Sequence, residues 1–251
     1  MQKILAFAGK GGVGKTTLGG MLIRYLVEEI NDGPVLAVDA DPNSNLNEVL
    51  GLPVENTIGE ARELMKKDVP PGMTKDIWFE HKVNQAIVEG KGFDLLVMGR
   101  PEGPGCYCAA NSLAKQSIDS LKGNYTFVVV DNEAGMEHMS RLVTQDVDHL
   151  FVISDGQPRG LITAKRILDL SGELKLNIKN TYLLVNRLKE EDLETIARVV
   201  LEMGLEVTGT VRDGKDVLQA DAAGKTIFDL DRTSPALLDA YRIFEKTVSR
   251  Q

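Results

Sequence analysis

GKGGVGKT, residues 9–16, satisfies the pattern G-x-x-x-x-G-K-[ST] of a phosphate-binding loop. The stretch follows the apolar run ILAFA (4–8), and residues 15–30 after it place apolar side chains on one helical face. Glycines let a backbone turn successive N–H groups toward an anion, and the start of a helix adds its positive end. This strand–loop–helix context predicts a nucleotide-binding site.

The positions of the loop have distinct predicted contacts with the nucleotide. Lys15 reaches the β- and γ-phosphates, the Thr16 hydroxyl ligates Mg²⁺, and Thr17 contacts the α-phosphate. The backbone expected to cradle the phosphates belongs to Gly11, Gly12, Val13 and Gly14.

Seven short apolar runs recur along the chain, with helical patterns between most of them. The runs are ILAFA (4–8), PVLAV (34–38), DLLVM (94–98), TFVVV (126–130), LFVIS (150–154), TYLLV (181–185) and EVTGTV (206–211). Because they are continuous rather than alternating, they are typical of parallel strands covered on both faces. The order predicts an α/β fold: a three-layer P-loop NTPase with a mainly parallel, helix-covered sheet of about seven or eight strands.

Residues 1–251 are predicted to form a single domain, since no linker or low-complexity tract divides them. Residues 57–92 break the strand–helix rhythm around Pro70, Pro71 and Gly72. We therefore expect a cap-like insertion there, between the second and third predicted strands.

Carboxylates end two of the predicted strands. LAVDADPNSN (36–45) ends the second strand with Asp39 and Asp41, and VVVDNEAGMEH (128–138) ends the fourth with Asp131. Strand-end carboxylates beside a phosphate loop can hold Mg²⁺ or its waters and orient an attacking water. A solvated strand-end aspartate is the alternative at each position.

The extra lysine of KGGVGKTT, Lys10, makes the loop similar to the deviant Walker A motif of the MinD, ParA and nitrogenase-iron-protein ATPases. The resemblance implies an ATP-bound homodimer in which Lys10 reaches the partner's phosphates, comparable to an arginine finger supplied in trans. It implies that Asp41, in switch I, positions the hydrolytic water and that Asp131 is the Walker B acid close to Mg²⁺. Asp39 would support the metal's water shell, and Gly135 would let switch II move near the γ-phosphate. The expected catalytic residues are Lys10, Lys15, Asp41 and Asp131.

The base pocket is predicted at the end of the sixth apolar run. Asn186 in LLVNRL resembles the adenine reader of the same family, and Arg187 would stack on the base. The GTPase pattern N-K-x-D is absent, so adenine is favoured over guanine and ATP or ADP is the expected nucleotide. The stretch expected to cover the other side of the base contains Val211, Arg212 and Asp213. A plain strand-end turn residue is the alternative for Asn186.

Both cysteines of the chain, Cys106 and Cys108, lie in GPGCYCAAN (103–111), just before a helical pattern over 109–121. A helix N-terminus stabilises a thiolate. Two thiolates are too few for a sulfur-coordinated metal site, but a two-fold dimer with this loop at its axis presents four, which suits Zn²⁺, Ni²⁺ or Cu⁺. Two ordinary reduced thiols in a loop are the alternative.

The C-x-C loop, DADPNSNLNEVLG and DNEAGMEH together resemble the CooC-type nickel-insertion ATPases, which mature carbon monoxide dehydrogenase. The resemblance implies ATP-dependent dimerisation that binds and releases Ni²⁺ at the cysteine pair, with Zn²⁺ an alternative metal at the same site. Similar ATPases mature acetyl-CoA synthase, so the motifs leave the client open between these nickel enzymes.

Two other classes remain as alternatives. A positioning ATPase like MinD or ParA would need membrane or DNA affinity, and neither explains the C-x-C pair. A dimer with a bridging iron–sulfur cluster is the second alternative. The nitrogenase iron proteins take one cysteine from each of two loops, and DNEAGMEHM has no cysteine, so that arrangement is missing, but the C-x-C loop alone could carry a cluster at the dimer axis.

Composition bears on the partners. The net charge of −8 disfavours sequence-independent nucleic-acid binding, which needs a basic face. No apolar run approaches the length of a membrane span. We therefore expect a cytoplasmic protein with no nucleic-acid or membrane partner.

Overall fold

The structure, a computed structural model, describes residues 2–43, 45–100, 115–134, 146–173 and 177–249. Within these ranges eight strands form one sheet in the order β3-β4-β2-β5-β1-β6-β7-β8. The strands are β1 (Lys3–Gly9), β2 (Val35–Ala40), β3 (Val88–Glu89), β4 (Phe93–Val97), β5 (Phe127–Asn132), β6 (Asp146–Ser154), β7 (Asn177–Leu188) and β8 (Gly209–Arg212). Neighbouring strands are parallel except β3 and β4.

Helices connect the strands and cover both faces of the sheet. They are α1 (Lys15–Tyr25), α2 (Leu46–Leu50), α3 (Ile58–Met65), α4 (Lys75–Ala86), α5 (115–121), α6 (Pro158–Glu173), α7 (Leu193–Glu202), α8 (Lys215–Ala222) and α9 (Pro235–Phe244). In the described part of the chain, no helix has both the length and the apolar character needed to cross a membrane.

Alternate residues of the central strand β1 belong to opposite helical layers. Leu5 and Phe7 are buried with apolar residues of α1, α2 and α9. Ile4 and Ala6 are buried with apolar residues of α3, α4, α5 and α6. Both faces of the strand are thus withdrawn from water, which accounts for its continuous apolar sequence. This arrangement confirms the predicted three-layer, mainly parallel P-loop NTPase fold.

Residues 57–92, predicted as a cap-like insertion, supply two helices to one of these layers. The Thr57 side chain caps the start of α3 in a capping box, and Thr74 caps the start of α4. Trp78 and Phe79 of α4 are buried in the core beneath the sheet. The segment packs on the sheet and forms the crossover from β2 to β4. The sheet face buries the apolar side chains of its two helices.

The strands differ from the predicted runs in several places, and β6 and β7 begin earlier than predicted, at Asp146 and Asn177. The two-residue strand β3 was not predicted, because Val88 and Glu89 are too short a run to give a hydrophobic pattern. The last strand begins at Gly209 rather than at Glu206.

The carboxyl ends of β2, β1 and β5 meet near the middle of the sheet. Asp39 of β2 lies opposite Asp131 of β5, and Phe7 of β1 also lies opposite Asp131. The phosphate loop leaves β1 at this same edge, so the topology places the two aspartates beside it.

Candidate functional site

The phosphate loop needs glycine at the positions where the chain turns. Gly9, Gly12 and Gly14 have φ of 152°, 77° and 91°, in the region that L side chains rarely adopt. A Cβ on Gly9 would stand 2.5 Å from the carbonyl oxygen of Ile153 on β6. Gly14 also precedes α1 without a side-chain cap, and the first turn of α1 contains no acidic residue. The amino end of α1 is therefore suited to an anion.

Lys15 is almost fully buried beside this loop, with 7% of its surface exposed. Its Nζ donates a hydrogen bond to the backbone oxygen of Lys10 at 3.4 Å. Burial lowers the pKa of Lys15, although Asp131, Asp41 and Glu133 act in the opposite direction. A buried ammonium beside backbone N–H groups gives the loop a desolvated positive charge that a phosphate would neutralise.

Thr16 and Asp131 contact each other directly. The Thr16 hydroxyl donates to Asp131 Oδ2 at 2.6 Å, and the side chain of Asp131 is buried. Burial is the main cause that raises the pKa of Asp131 to about 6, against the lowering effect of the Thr16 hydrogen bond and Lys15. Within the described residues, Asp131 Oδ1 is buried and has no hydrogen-bond partner.

The unpartnered oxygen, Asp131 Oδ1, is a possible ligand for Mg²⁺ beside the phosphate loop. Mg²⁺ takes oxygen ligands, and protein sites offer it one or two side-chain oxygens while phosphates and waters supply the rest. The Thr16 hydroxyl and the Asp131 carboxylate are such oxygens, side by side at the amino end of α1. The residues present fit the ion.

Asp39 is occupied by the backbone of the loop that follows it. Its two oxygens accept the N–H groups of Asp41 at 3.1 Å and Leu46 at 3.0 Å. Burial, ahead of the charge of Asp131, raises the pKa of Asp39 to about 7. Asp39 thus holds the path of the predicted switch I loop. Each oxygen can accept a second hydrogen bond, so the predicted contact with the metal's water shell stays a prediction.

We expect these two carboxyls to make the nucleotide-free protein lose stability as the pH rises. The unfolded chain releases their protons near pH 4, whereas the folded chain keeps them until about pH 6 at Asp131 and about pH 7 at Asp39. The folded state binds more protons in this window, so the free energy of unfolding falls from about pH 4 to about pH 7 and then levels.

Denaturant unfolding at several pH values measures this effect. In Asp131→Asn the fall should be smaller than in the wild type by about 3 kcal/mol. The matched control is Asp169→Asn, at an exposed position on α6, which should keep the wild-type pH dependence. An Asp131→Asn protein with the wild-type slope would contradict the buried-carboxyl explanation.

The side chain of Asp41 lies in a short hydrogen-bonded series. Its Oδ1 accepts from the backbone N–H of Asn43 at 2.8 Å and from Asn43 Nδ2 at 3.1 Å. Asn43 Oδ1 in turn accepts from the guanidinium of Arg100, just after β4.

Asn186 and Arg187 donate hydrogen bonds to the backbone of the phosphate loop. Asn186 Nδ2 donates to the backbone oxygen of Val13 at 2.8 Å, and Arg187 Nη1 donates to that of Gly12 at 3.0 Å. Arg187 has φ of 56°, at an irregularity in the pairing of β7 with β8. A non-glycine residue in this conformation is uncommon and is often found at functional sites.

Two adjoining grooves run from Thr17 past these side chains, with volumes of about 450 Å³ and 380 Å³. Apolar residues of α8 and the chain after it line the larger groove, including Val217, Leu218 and Ile227. The predicted base-pocket residues in the smaller groove are Asn186, Arg187, Val211, Arg212 and Asp213. The structure therefore brings all five together. The guanidinium of Arg212 is paired with Asp239, at 2.6 Å and 2.8 Å.

Three predicted site residues, Cys106, Cys108 and Gly135, lie outside the described residues. Among the residues that the structure does describe, no group of three or more His, Cys, Asp and Glu side chains could hold a metal ion.

Residues 4–227 match the family described as the CobQ/CobB/MinD/ParA nucleotide binding domain. The chain belongs to this family. With its phosphate loop at the carboxyl edge of a parallel sheet, it is a P-loop ATPase of the CobQ/CobB/MinD/ParA family.

Two relatives and one solved structure are similar to nearly the whole chain. An uncharacterized ATP-binding protein of Methanocaldococcus jannaschii is 44% identical over 253 residues, covering 99% of each chain. The carbon monoxide dehydrogenase accessory protein CooC of Rhodospirillum rubrum is 32% identical over 250 residues, covering 94% of this chain and 92% of the relative. The septum site-determining protein MinD of Pyrococcus horikoshii, in its complex with Mg-ADP, has the same fold. Its TM-score is 0.74 at 21% identity, and the match covers 99% and 96% of the two chains.

Two side chains of this CobQ/CobB/MinD/ParA family member were not predicted from the sequence. Asn43 lies within DADPNSN, a stretch that predicts no role for it, and Arg100 follows β4 with no motif around it. The available signal was an arginine three residues after a strand that ends at the same sheet edge as the phosphate loop.

Proposed function

We propose that this chain is an ATP-dependent metallochaperone that binds nickel through its C-x-C pair at an ATP-stabilised homodimer interface. Its role would be to help insert the metal into carbon monoxide dehydrogenase or a related nickel enzyme such as acetyl-CoA synthase. The observation that carries the proposal is the similarity to CooC along nearly the full length of both chains, in a sequence that also contains Cys106 and Cys108.

The proposed ATPase centre uses the contacts around α1. Lys15 and the amino end of α1 bind the phosphates, and Thr16 with Asp131 holds Mg²⁺, which supplies positive charge to the bound phosphates. Asp41 orients the attacking water at the γ-phosphate. Lys10 is exposed at the mouth of the loop, as a lysine that acts on a partner's phosphates must be.

The proposed adenine site is the pair of grooves beside Thr17. Apolar side chains of α8 offer a surface for the flat base, and Asn186 is placed between the groove and the loop. An amide can both donate and accept, which suits the edge of adenine.

Nickel is the cargo of the proposed cycle. Each chain contributes two thiolates, so two chains supply the four soft ligands of a closed site. A metal shared between protomers favours the dimer, and ATP shared in trans through Lys10 favours it as well. The affinities for ATP and for nickel must then be linked reciprocally. Zn²⁺ would fit the same ligands.

A Ni²⁺ titration of reduced, metal-free protein tests the proposal. Molecular mass is measured at each point, with and without a non-hydrolysable ATP analogue. We expect about half a nickel ion per chain, held by a dimer and bound more tightly with the analogue. If neither nucleotide state binds nickel in a thiol-dependent way, metal delivery is wrong. In that case, ATP-dependent binding to vesicles or DNA would favour a MinD- or ParA-like positioning ATPase.

A further inference from the structure

Asn43 stands between Asp41 and Arg100 and bonds to both. It donates twice to Asp41 Oδ1, from its backbone N–H at 2.8 Å and from its Nδ2 at 3.1 Å. Its Oδ1 accepts from Arg100 Nη2. The series joins the loop after β2 to the residue that leaves β4, across 57 positions of sequence.

Arg100 fixes the orientation of the Asn43 amide. A guanidinium only donates hydrogen bonds, so the amide end that faces Arg100 must be the oxygen. The amide nitrogen then necessarily faces Asp41, whose carboxylate only accepts. With both ends of its amide bonded, Asn43 has one preferred rotamer, and the positive charge of Arg100 polarises the amide toward stronger donation.

The residues between β4 and Arg100 place Arg100 beside Asn43. Gly99 turns the chain at φ of 64°, and a side chain there would collide with Thr57 at the start of α3. The N–H of Met98 donates to the backbone oxygen of Asp39 at 2.9 Å. Arg100 is therefore two residues beyond a direct backbone bond to the strand that carries Asp39.

Both the backbone and the side chain of Asp41 are therefore hydrogen-bonded. Asp39 accepts its backbone N–H, and Asn43 holds its carboxylate, with Arg100 behind Asn43. A carboxylate that orients a water must keep its direction, and small misplacements of such groups lower turnover without removing the substrate.

We propose that Asn43 and Arg100 are positioning residues for ATP hydrolysis, acting through Asp41. The inference rests on the ATPase part of the proposed function and is independent of nickel. Both side chains are exposed, so their loss should leave the folded core intact. Asp41 would lose the bond from Asn43 Nδ2 and keep the bond from the backbone N–H of residue 43, which holds its direction less tightly than the two bonds together.

Phosphate release is measured over a range of ATP concentrations for Asn43→Ala, Arg100→Ala and the double variant. Each single change should lower kcat about tenfold and leave the KM for ATP within about twofold. The double variant should be no slower than the slower single variant, because both changes break one series. Arg100→Lys should recover part of kcat, since an ammonium can still donate to Asn43 Oδ1.

Arg198→Ala is the matched control, because Arg198 is an exposed arginine on α7. It should keep wild-type kcat. Unchanged kcat in both single variants, a raised KM at unchanged kcat, or losses that multiply in the double variant would each overturn the positioning role. A wild-type protein without ATPase activity would instead overturn the proposed function and this inference together, so the two failures are distinguishable.

Discussion

Replacing Lys15 by alanine is expected to lower kcat/KM for ATP hydrolysis by about 10²–10³-fold. Lys15 is the buried cation of the phosphate loop, and burial lowers its pKa because its charge is poorly solvated there. A phosphate would offer that charge a counterion, and the interaction strengthens as negative charge develops in the transition state. Alanine removes the cation but leaves the backbone N–H groups, so weak nucleotide binding should persist.

The measurement is steady-state phosphate release together with binding of a fluorescent ATP analogue. Because Lys15→Ala removes a buried charge, we expect no loss of folding stability, and thermal unfolding checks this. Lys10→Ala provides the contrast. It should bind ATP as a monomer but fail to form the ATP-dependent dimer, as seen by mass in solution. Wild-type turnover in Lys15→Ala would remove Lys15 from the site, and a normal ATP-dependent dimer in Lys10→Ala would remove the trans role.

Replacing Cys106 by serine should lower the affinity for Ni²⁺ by at least about a hundredfold. Mutating a residue that only hydrogen-bonds to a metal ligand already costs about 10–100-fold in affinity, and losing the ligand itself should cost more. A serine hydroxyl stays protonated near neutral pH and is a hard ligand, so it replaces a thiolate poorly at a soft site. A symmetric dimer would lose two of its four ligands through this single substitution. Nucleotide binding should remain within about twofold of the wild type, because the phosphate loop is a separate site.

Isothermal titration with Ni²⁺, in parallel with nucleotide binding, measures both affinities. Histidine is the main competing nickel ligand on protein surfaces. His81→Ala, at an exposed position on α4, is therefore the control variant. It should bind nickel like the wild type. Nickel affinity that survives Cys106→Ser but falls in His81→Ala would mean surface binding only, and the metallochaperone proposal would be wrong.

The fold could be predicted because its signals are local. Continuous Val, Leu, Ile and Phe runs gave the central strands, and GKGGVGKT gave the position of the loop relative to the sheet edge. The crossover helices α3 and α4 were harder to assign, since their apolar side chains show only that something covers them. Only the tertiary structure shows that the sheet itself covers them, for example at Trp78.

The site was predicted residue by residue only where a motif exists. The contact between Thr16 and Asp131 agrees with the metal site expected from the motif. By contrast, Asp39 binds the N–H groups of Asp41 and Leu46, and such bonds depend on a loop conformation that has no sequence signature. The partnership of Asn43 with Arg100 was equally invisible, because the two residues meet only after β2 and β4 are side by side.

The pairing of Asp39 with Asp131 across β2 and β5 has a consequence for proton exchange. Two buried carboxyls with pKa values of about 7 and about 6 lie on neighbouring strands, so the nucleotide-free protein keeps part of their protons near neutral pH. A divalent cation at Asp131 requires the ionised form and would release the fraction of the Asp131 proton that is still bound. Nucleotide loading would then be a proton-releasing reaction. A lower pH would then weaken the loaded state without changing any contact to the phosphates.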